Sequence, residues 1–392
     1  MKVYLKMKQE NKEVLILSST SLEDQGVGSL FLKDLITNAP DNFLFSEHII
    51  HPFLLDKLLD KQEVYYKLLY SLQVRIGFIQ NSRIKYYINK ALQSQINDIE
   101  VILKNKDYAF IWLITSTPEL ILIGKELSKK GYDIRITVWD DPQYISSNLR
   151  LSKSVESIVM DAFGTLLTSA KIGLVISNNM KEDYKKKYNL NSLIVRHGIS
   201  TQNISINNKL DDSINIAFAG SLYCKKEWNS FINALSSVNW RLNDKDVYIH
   251  HIGAFPVYGA KKDPHIIFHG LKPFDETIKL LSNMHIGYLP YWFSKKFKIA
   301  ATTSFPGKMS AYTTAGLGIF HHAPNYTEVT SFLEEYTVGL ACHSNGSDEI
   351  IQCLNSLLVL MSSPDFFEAR NSALKNALSS EANINSFKTF LL

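Results

Sequence analysis

The feature of this 392-residue chain that most restricts its fold is a repeated alternation of short apolar runs with segments of helical periodicity. Glu13–Ser18, Tyr108–Thr115 and Asp133–Val138 are apolar enough to be buried on both faces, as strands of a parallel sheet are. Helical segments such as Pro118–Lys130 separate these runs. Strands that alternate with helices predict an α/β fold with a doubly wound parallel sheet.

The alternation is interrupted once, by a polar stretch at residues 200–213 that lacks apolar periodicity and is typical of a linker. It resumes with the strand Ile214–Ala219, and the chain length suits two domains of common size. We predict one domain over residues 1–205 and a second over residues 206–374. The helical stretch of about residues 375–392 is expected to pack back on the first domain. The cleft between such domains is the default ligand site.

Composition excludes several classes of protein. The net charge of +4 is too small to indicate nucleic-acid binding by itself. The three cysteines are scattered and form neither a CxxC pair nor a disulfide framework, which favours a reducing cytoplasm. No signal-type run follows Met1, and the most apolar stretch, Tyr108–Ile123, is interrupted by Pro118 and Glu119 and is too short to span a bilayer.

The stretch Thr303–Glu328 carries the clearest anion-binding pattern. The residues from Ser304 to Gly307 end the preceding structure and begin a helix with Lys308 in its first turn. Free N–H groups, the helix dipole and the lysine all favour negative charge, so this stretch predicts a diphosphate site. The alternative is a surface lysine beside an ordinary βα turn.

Two candidate sites follow strands in the first half. Gly26 and Gly28 lie between the first strand and a helix, where they form either an anion cradle or a plain turn. Asp140 and Asp141 follow the strand Asp133–Val138, at the end of the sheet where ligands bind. These carboxylates could act on a hydroxyl or hold a substrate, and Asp141 could equally cap the next helix.

The segment Leu58–Gln95 combines aromatic residues with many cations and few acids. A basic aromatic helix of this kind can lie on an anionic membrane. The alternative is a pair of helices packed on the sheet, with lysine and arginine stems covering apolar surface. The membrane interpretation predicts peripheral contact with the inner face of the membrane through residues 61–95, and the packing interpretation predicts none.

Several segments together resemble the nucleotide-sugar glycosyltransferases of the GT-B fold, in the retaining group related to glycogen synthase and of the bacterial surface-polysaccharide type. The resemblance spans nearly the whole chain, including the domain-end segment that closes with VRHGIS. The other segments that carry it are DQGVGSLFLKDL (24–35), FAGSLYCKKEW (218–228), FHGLKPFDETIKLLSNMHIGYLPY (268–291), FPGKMSAYTTAGLGIF (305–320) and NYTEV (325–329).

The resemblance implies two Rossmann-like domains that face each other across a cleft. It implies transfer of a sugar, of the hexosyltransferase type, from a nucleoside-diphosphate sugar to a saccharide or lipid-linked acceptor. Retention of configuration is expected, without a metal or other cofactor and without nucleic acid as a partner. The catalytic residues implied are Lys226 and Lys308 on the diphosphate and Asp140 or Asp141 toward the acceptor. The donor-binding residues implied are Gly26, Gly28, Gly220, Ser221, Pro290, Tyr291, Ser304, Gly307, Tyr312 and Glu328.

The chain also departs from the family pattern. Ser221 stands where the family usually has arginine, and Thr303 and Ala311 stand where many members have a pair of glutamates. Trp139 and Asp140 occupy a loop in which many relatives carry a histidine. Two alternatives therefore stay open. One is a non-catalytic GT-B-like subunit that binds a glycan or a partner, and the other is a sugar-nucleotide epimerase.

Overall fold

The computed structural model of the protein describes residues 11–24, 26–51, 80–149, 151–199, 213–257 and 263–392. The chain forms two compact units, one of residues 1–195 with 386–392 and the other of residues 196–385. The predicted domain boundary at residues 205 and 206 lies outside the described residues. So does much of the basic aromatic segment, because residues 52–79 are not described.

The first unit alternates strands and helices as predicted. Its elements are β1 (Lys12–Ser18), α1 (Val27–Thr37), β2 (Phe43–Ile49), α2 (Gln80–Asn105), β3 (Phe110–Ile114), α3 (Pro118–Lys129), β4 (Ile134–Val138), α4 (Pro142–Asn148), α5 (Lys153–Ser169), β5 (Gly173–Val175), α6 (Asn178–Tyr188) and β6 (Ser192–Ile194).

Within the described ranges, the strands of this unit form one parallel sheet in the order β2-β1-β3-β4-β5-β6. Every residue of β3 and β4 is buried, which confirms the prediction of strands covered on both faces. Two clusters of buried side chains lie against the sheet, one built around Leu113 and Ile136 and the other around Trp112.

Side-chain caps explain why three helices begin where they do. The hydroxyls of Thr117, Ser152 and Ser177 accept hydrogen bonds from backbone N–H groups in the first turns of α3, α5 and α6. Pro118 occupies the first position of α3, where its missing N–H group has no cost. Asn189 ends α6 in the left-handed conformation that asparagine tolerates.

The second unit repeats the alternation after the linker. Its elements are β7 (Ser213–Ala219), α7 (Lys225–Ser237), β8 (Arg241–Leu242), β9 (Lys245–Ile252), β10 (Ile266–Gly270), α8 (Phe274–Leu281), β11 (Ile286–Pro290), a 3₁₀ turn (Lys295–Phe297), α9 (Lys298–Thr303), α10 (Lys308–Thr314), β12 (Gly318–His322), α11 (Glu328–Tyr336), β13 (Gly339–Cys342), α12 (Ser347–Met361), α13 (Pro364–Ala373) and a π turn (Leu374–Leu378). The last helix, α14 (Ser380–Leu391), begins in this unit and ends in the first.

The described strands of the second unit form a parallel sheet in the order β10-β9-β7-β11-β12-β13, and β8 pairs antiparallel with β9. The β8–β9 hairpin was not predicted. Asn243 and Asp244 form its turn with φ of 47° and 62°. Such a turn needs two residues in the left-handed region, which asparagine and aspartate tolerate.

Two details of the helices bear on the predictions. Helix α7 begins at Lys225, with Cys224 at the N-cap position, and this places Lys226 in its first turn. The helical stretch expected over about residues 375–392 is broken at Ser379, whose backbone is extended with ψ of 161°.

In the part of the chain that the structure describes, no single helix has the length and apolar character needed to cross a bilayer. Only the pair Ser347–Met361 and Pro364–Leu378, bent by 89°, meets that test jointly.

The end of α14 completes the core of the first unit. Phe387 and Phe390 are almost fully buried, and their ring centroids lie 5.1 and 5.6 Å from that of Trp112. The Arg135 guanidinium donates a hydrogen bond to the carbonyl of Phe390 and lies 3.9 Å from the ring centroid of Phe110. The arginine thus satisfies a carbonyl that the end of the helix would otherwise leave free.

We predict that Phe387→Ala destabilises the first unit by about 3–5 kcal/mol, because it leaves a cavity beside Trp112. Denaturant unfolding followed by tryptophan fluorescence measures the change. Phe367→Ala is the matched control, since that side chain is 55% exposed and its loss should cost little. Equal losses in the two variants would contradict the assignment of Phe387 to the core.

Candidate functional site

In the second unit, the strand order reverses between β7 and β11, which are neighbours in the sheet. Open α/β sheets bind ligands outside the carboxyl ends of the strands at such a reversal. The loop after β7 contains Gly220, and the segment after β11 leads to Lys308. These two residues meet at this point, because the Lys308 side chain lies directly over Gly220.

The Lys308 ammonium is the most unusual group at this point. Its Nζ atom is buried and has no hydrogen-bond partner among the described residues. It lies 4.6 Å from the ring centroid of Phe218 and 5.1 Å from that of Tyr223. Burial lowers the pKa of Lys308 to about 8. The aromatic faces attract the cation but leave its N–H donors unused, so the site is suited to an anion.

Gly220 allows the backbone to approach this ammonium. Its φ of 88° lies in the left-handed region, and a Cβ atom there would lie 3.2 Å from Cε of Lys308. The Gly220 N–H donates to the carbonyl of Ile252 at 2.7 Å, and Nε2 of His251 lies 3.0 Å from the Gly220 carbonyl. The turn is therefore fixed from two sides.

Tyr312 holds the helix that begins at Lys308. Its hydroxyl accepts a hydrogen bond of 2.8 Å from the backbone N–H of Ala219, and its ring fills the space that a side chain at Gly287 would need. At the other end of α10, the guanidinium of Arg370 donates to the carbonyls of Thr313 and Thr314 at 2.9 and 3.3 Å. A direct contact of Tyr312 with a donor stays a prediction.

Three further predicted residues lie close together after β11. The Tyr291 hydroxyl donates to the carbonyl of Ser304 at 3.3 Å, and the Pro290 carbonyl lies 3.5 Å from Sγ of Cys224. Trp292 adds a link that sequence reasoning missed, since its indole N–H donates to the Tyr223 carbonyl at 3.2 Å. These contacts tie the segment after β11 to the segment after β7.

Three other predicted site residues make fewer contacts around the candidate site, namely Gly307, Ser221 and Lys226. Gly307 precedes α10 in a helical conformation and supplies no side-chain cap. Ser221 and Lys226 are both exposed, and no contact among the described residues joins Lys226 to Lys308. The structure therefore brings Lys308 to Gly220 but leaves the second predicted lysine on the surface of α7.

Glu328 is held by a buried ion pair. One oxygen of its carboxylate lies 3.0 Å from Nη2 of Arg196, and the two side chains are 2% and 8% exposed. The guanidinium also lies 4.3 Å from the ring centroid of Phe305 and 5.2 Å from that of Phe332. Sequence reasoning missed Arg196, because nothing local indicates a partner 132 residues away. The proposed contact of Glu328 with a ribose stays a prediction.

In the first unit, the strand order reverses between β1 and β3, and the hydroxyls of Ser19 and Ser116 lie 2.9 Å apart at that point. Gly26 precedes α1 and has open space around it. A Cβ atom at Gly28 would lie 2.8 Å from the ring of Trp139. Gly28 is thus used for packing, which leaves Gly26 as the open glycine of the predicted cradle.

The two predicted carboxylates have different surroundings. Asp141 caps α4, since it accepts hydrogen bonds from the Gln143 N–H at 2.9 Å and the Tyr184 hydroxyl at 3.2 Å. Burial, with a smaller contribution from the adjacent Asp141, raises the pKa of Asp140 to about 6. Burial raises the pKa of Asp141 as well, but the oxygens of Asp141 are already used by the helix cap and by Tyr184, so Asp140 is the carboxylate better suited to chemistry near neutral pH.

We predict that Glu328→Gln destabilises the protein by about 3–5 kcal/mol, because it removes the negative charge that pairs with the buried Arg196 cation. Urea unfolding measures the loss, and the double variant Arg196→Met/Glu328→Gln should recover most of it. If Glu328→Gln keeps full stability but loses nucleotide affinity, the carboxylate contacts the ligand rather than supporting the fold.

We predict that Asp140→Asn stabilises the protein at pH 7 by about 1–2 kcal/mol. The raised pKa means that the folded state resists ionisation of Asp140, and this cost develops as the pH rises from about 4 to about 6. Unfolding at pH 4 and pH 7 measures the effect, which should vanish at the lower pH. Asp141→Ala is the control and should lose stability by about 1 kcal/mol at both pH values, because it removes the oxygen that caps α4.

No family model matches this chain, and no curated protein matches it in sequence. Its structure, however, is similar to those of solved enzymes over nearly its whole length. For sucrose-phosphate synthase from Thermosynechococcus elongatus the TM-score is 0.65 at 10% identity, with 97% of this chain and 98% of the other covered. For α,α-trehalose-phosphate synthase (UDP-forming) from Burkholderia xenovorans in complex with glucose-6-phosphate the TM-score is 0.61 at 10% identity, with 97% and 99% covered.

A third similar structure is WaaG, described as a glycosyltransferase involved in lipopolysaccharide biosynthesis, with a TM-score of 0.55, 11% identity, and 96% and 98% of the two chains covered. At such low identity the similarity establishes the fold alone. These structures are GT-B glycosyltransferases with two Rossmann-like domains. This chain therefore has the GT-B fold, as its sequence predicts.

Proposed function

We propose that the protein is a glycosyltransferase that moves a sugar from a nucleoside-diphosphate sugar to a saccharide or lipid-linked acceptor. The observation that carries this proposal is the buried ammonium of Lys308, which lies over Gly220 at the reversal of strand order and has no hydrogen-bond partner in the described structure. The same fold in enzymes named as sugar-phosphate synthases and glycosyltransferases supports the reaction class.

The chemistry needs a cation at this position. When the glycosyl bond breaks, negative charge develops on the leaving diphosphate, and a preorganised cation stabilises that charge in the transition state. Lys308 is already desolvated, so little reorganisation of water is needed when the diphosphate binds. The open turn at Gly220 lets phosphate oxygens come close to the backbone. We infer that this arrangement replaces a metal ion in the reaction.

The remaining roles follow from placement and environment. Asp140 accepts a hydrogen bond from the acceptor hydroxyl, and the leaving phosphate takes the proton in a same-face displacement that retains configuration. Lys226 lies exposed in the first turn of α7, and we assign it a second contact with the diphosphate. We also propose a role in bacterial polysaccharide or glycoconjugate synthesis, which the description of WaaG as a glycosyltransferase involved in lipopolysaccharide biosynthesis supports. A cytoplasmic location, with peripheral contact to the inner face of the membrane, is proposed from the sequence alone.

The rival candidate is a non-catalytic subunit that binds a glycan or a partner. It is favoured by Thr303 and Ala311, which stand where related enzymes carry two glutamates. The Thr303 hydroxyl donates to the carbonyl of Ile299 at 2.8 Å, so it serves the local helix. Neither residue supplies a carboxylate for the donor. A sugar-nucleotide epimerase is the second rival, and it would turn over the donor without any acceptor.

The proposal predicts that one of UDP, GDP or ADP binds the full chain, equally well with and without EDTA, in calorimetric titrations. Lys308→Met should weaken this binding by about 2 kcal/mol, or roughly thirty-fold, because a charge-assisted contact to phosphate is lost. Lys279→Met, which removes an exposed lysine of α8, is the matched control and should bind as the unchanged protein does.

The affinity should also depend on pH. The bound diphosphate favours the charged form of Lys308, whose pKa in the free protein is about 8. Affinity is therefore nearly constant between about pH 7 and 8, where the terminal phosphate of the nucleotide is ionised, and falls by up to about ten-fold per unit above pH 8, while Lys308→Met shows no such fall. Binding of no nucleotide at all would favour the partner-subunit candidate, and donor turnover without an acceptor would favour the epimerase.

A further inference from the structure

The donor-side part of the chain has an unusual distribution of charge. Between Glu276 and Glu328 the sequence contains no aspartate or glutamate, although it contains five lysines. One of them, Lys308, belongs to the proposed diphosphate site. Three others, Lys295, Lys296 and Lys298, lie within four consecutive residues. The proposed donor diphosphate needs Lys308 and leaves this second group of cations unexplained.

These three lysines, which we call the lysine turn, occupy the 3₁₀ turn Lys295–Phe297 and the first residue of α9. All three are exposed. None forms an ion pair within the described part of the chain, although most ion pairs found there involve exposed lysines. The positive charge of the lysine turn is thus not neutralised by the described structure.

The lysine turn is attached to the proposed diphosphate site by a series of ring contacts. The ring centroid of Tyr223, which lies beside the Lys308 ammonium, is 4.8 Å from that of Trp292. Trp292 stacks on Phe297, with 4.8 Å between their ring centroids. Nζ of Lys296 lies 5.2 Å from the Phe297 ring centroid. Each of these contacts spans about 5 Å. A continuous row of aromatic side chains in the second unit therefore connects Lys308 to the lysine turn.

Two further contacts fix the ends of the turn. The backbone N–H of Phe293 donates to the buried carboxylate of Glu227 at 2.9 Å, which anchors the chain just before the turn. Nζ of Lys298 lies 5.1 Å from the ring centroid of Tyr326, which follows β12. The lysine turn is therefore held at the carboxyl edge of the sheet, where ligands bind.

We propose that the lysine turn binds a second anionic group, a phosphate or carboxylate carried by a sugar substrate in addition to the donor diphosphate. This inference rests on the proposed function, because it assigns the lysine turn to the same substrates. The ligand is either an acceptor such as a sugar phosphate or a donor whose sugar bears a carboxylate. In both cases the chemistry is recognition of an anion by ammonium groups with free donors.

A membrane surface is the competing ligand, and the structure favours it less. Polybasic membrane-binding segments commonly carry about 4–8 basic residues, and each contributes about 1 kcal/mol near an anionic surface. The lysine turn has three, and the exposed large apolar residue next to it is Ile299, at 39% exposure. Its short spacing and rigid attachment suit one small anion better than a lipid surface.

The test is calorimetric titration of the full chain with glucose 6-phosphate, glucuronate and glucose in low-salt buffer. At least one charged sugar should bind ten-fold or more tightly than glucose. In the triple variant Lys295→Gln/Lys296→Gln/Lys298→Gln, the preference for a charged sugar over glucose should fall below about three-fold. A preference for glucose 6-phosphate identifies a phosphorylated ligand, and a preference for glucuronate identifies a carboxylate. Equal binding of all three sugars, or a preference that the triple variant retains, would overturn the inference.

The control is Lys185→Gln/Lys186→Gln/Lys187→Gln, which removes the same charge from α6 in the first unit and should keep the preference. An equal loss in this control would show a general charge effect and overturn the site. Vesicles of phosphatidylglycerol and of phosphatidylcholine test the competing ligand. Binding to the anionic vesicles that requires the lysine turn, without any preference among the sugars, would replace the inference with a membrane contact.

The nucleotide titrations separate this inference from the proposed function. The variant of the lysine turn should bind the nucleoside diphosphate as tightly as the unchanged protein does, because Lys308 is intact. Loss of nucleotide binding in Lys308→Met with retained preference for a charged sugar would support two separate anion sites. If no nucleotide binds but the charged sugar does, the proposed function fails while the anion site stands.

Discussion

The burial of the Lys308 ammonium is the constraint on which this part of the second unit depends. An ammonium with unused donors is costly to bury, and its lowered pKa reflects that cost. The surrounding structure prevents relaxation, because Tyr312 ties α10 to the end of β7 and Arg370 holds the other end of the helix. The absence of a side chain at Gly220 leaves room for the lysine. The fold thus keeps the ammonium in the position and the desolvated state that binding of an anion requires, at a cost in stability.

Two other buried residues of the candidate site, both carboxylates, are held by partners. Glu328 is matched with Arg196, and Asp141 is satisfied by Tyr184 and a backbone N–H group. Lys308, whose ammonium has no hydrogen-bond partner in the described structure, and Asp140 are the candidates whose pKa values move farthest toward neutrality, to about 8 and about 6. A buried charge that is paired within the protein supports the fold. A buried charge whose hydrogen-bonding groups are unused can gain its partner only from a ligand. This contrast separates supporting residues from candidate catalytic ones.

The strands are predictable from the sequence because fully buried strands are continuous apolar runs, and the predicted strand Ile214–Ala219 is observed with one additional residue, as Ser213–Ala219. The sequence also placed Lys308 at the start of a helix. It could not reveal Tyr223 or Arg196, since their roles depend on partners distant in sequence. The role of Lys226 stays a prediction, because its motif fixes its position in the chain but not the direction of its side chain. Contacts between distant segments have no local signal.

The placement of Phe387 and Phe390 in the core of the first unit has a consequence for biosynthesis. A ribosome delivers β1 to β6 long before these two rings, since the entire second unit lies between them in the sequence. Domains usually fold in the order of their synthesis. Here the side chain of Trp112 lacks the cover of Phe387 until synthesis reaches residue 387. All core residues of the second unit are synthesised before that point. The nascent chain therefore offers chaperones an exposed aromatic surface for the whole time that the second unit is being made.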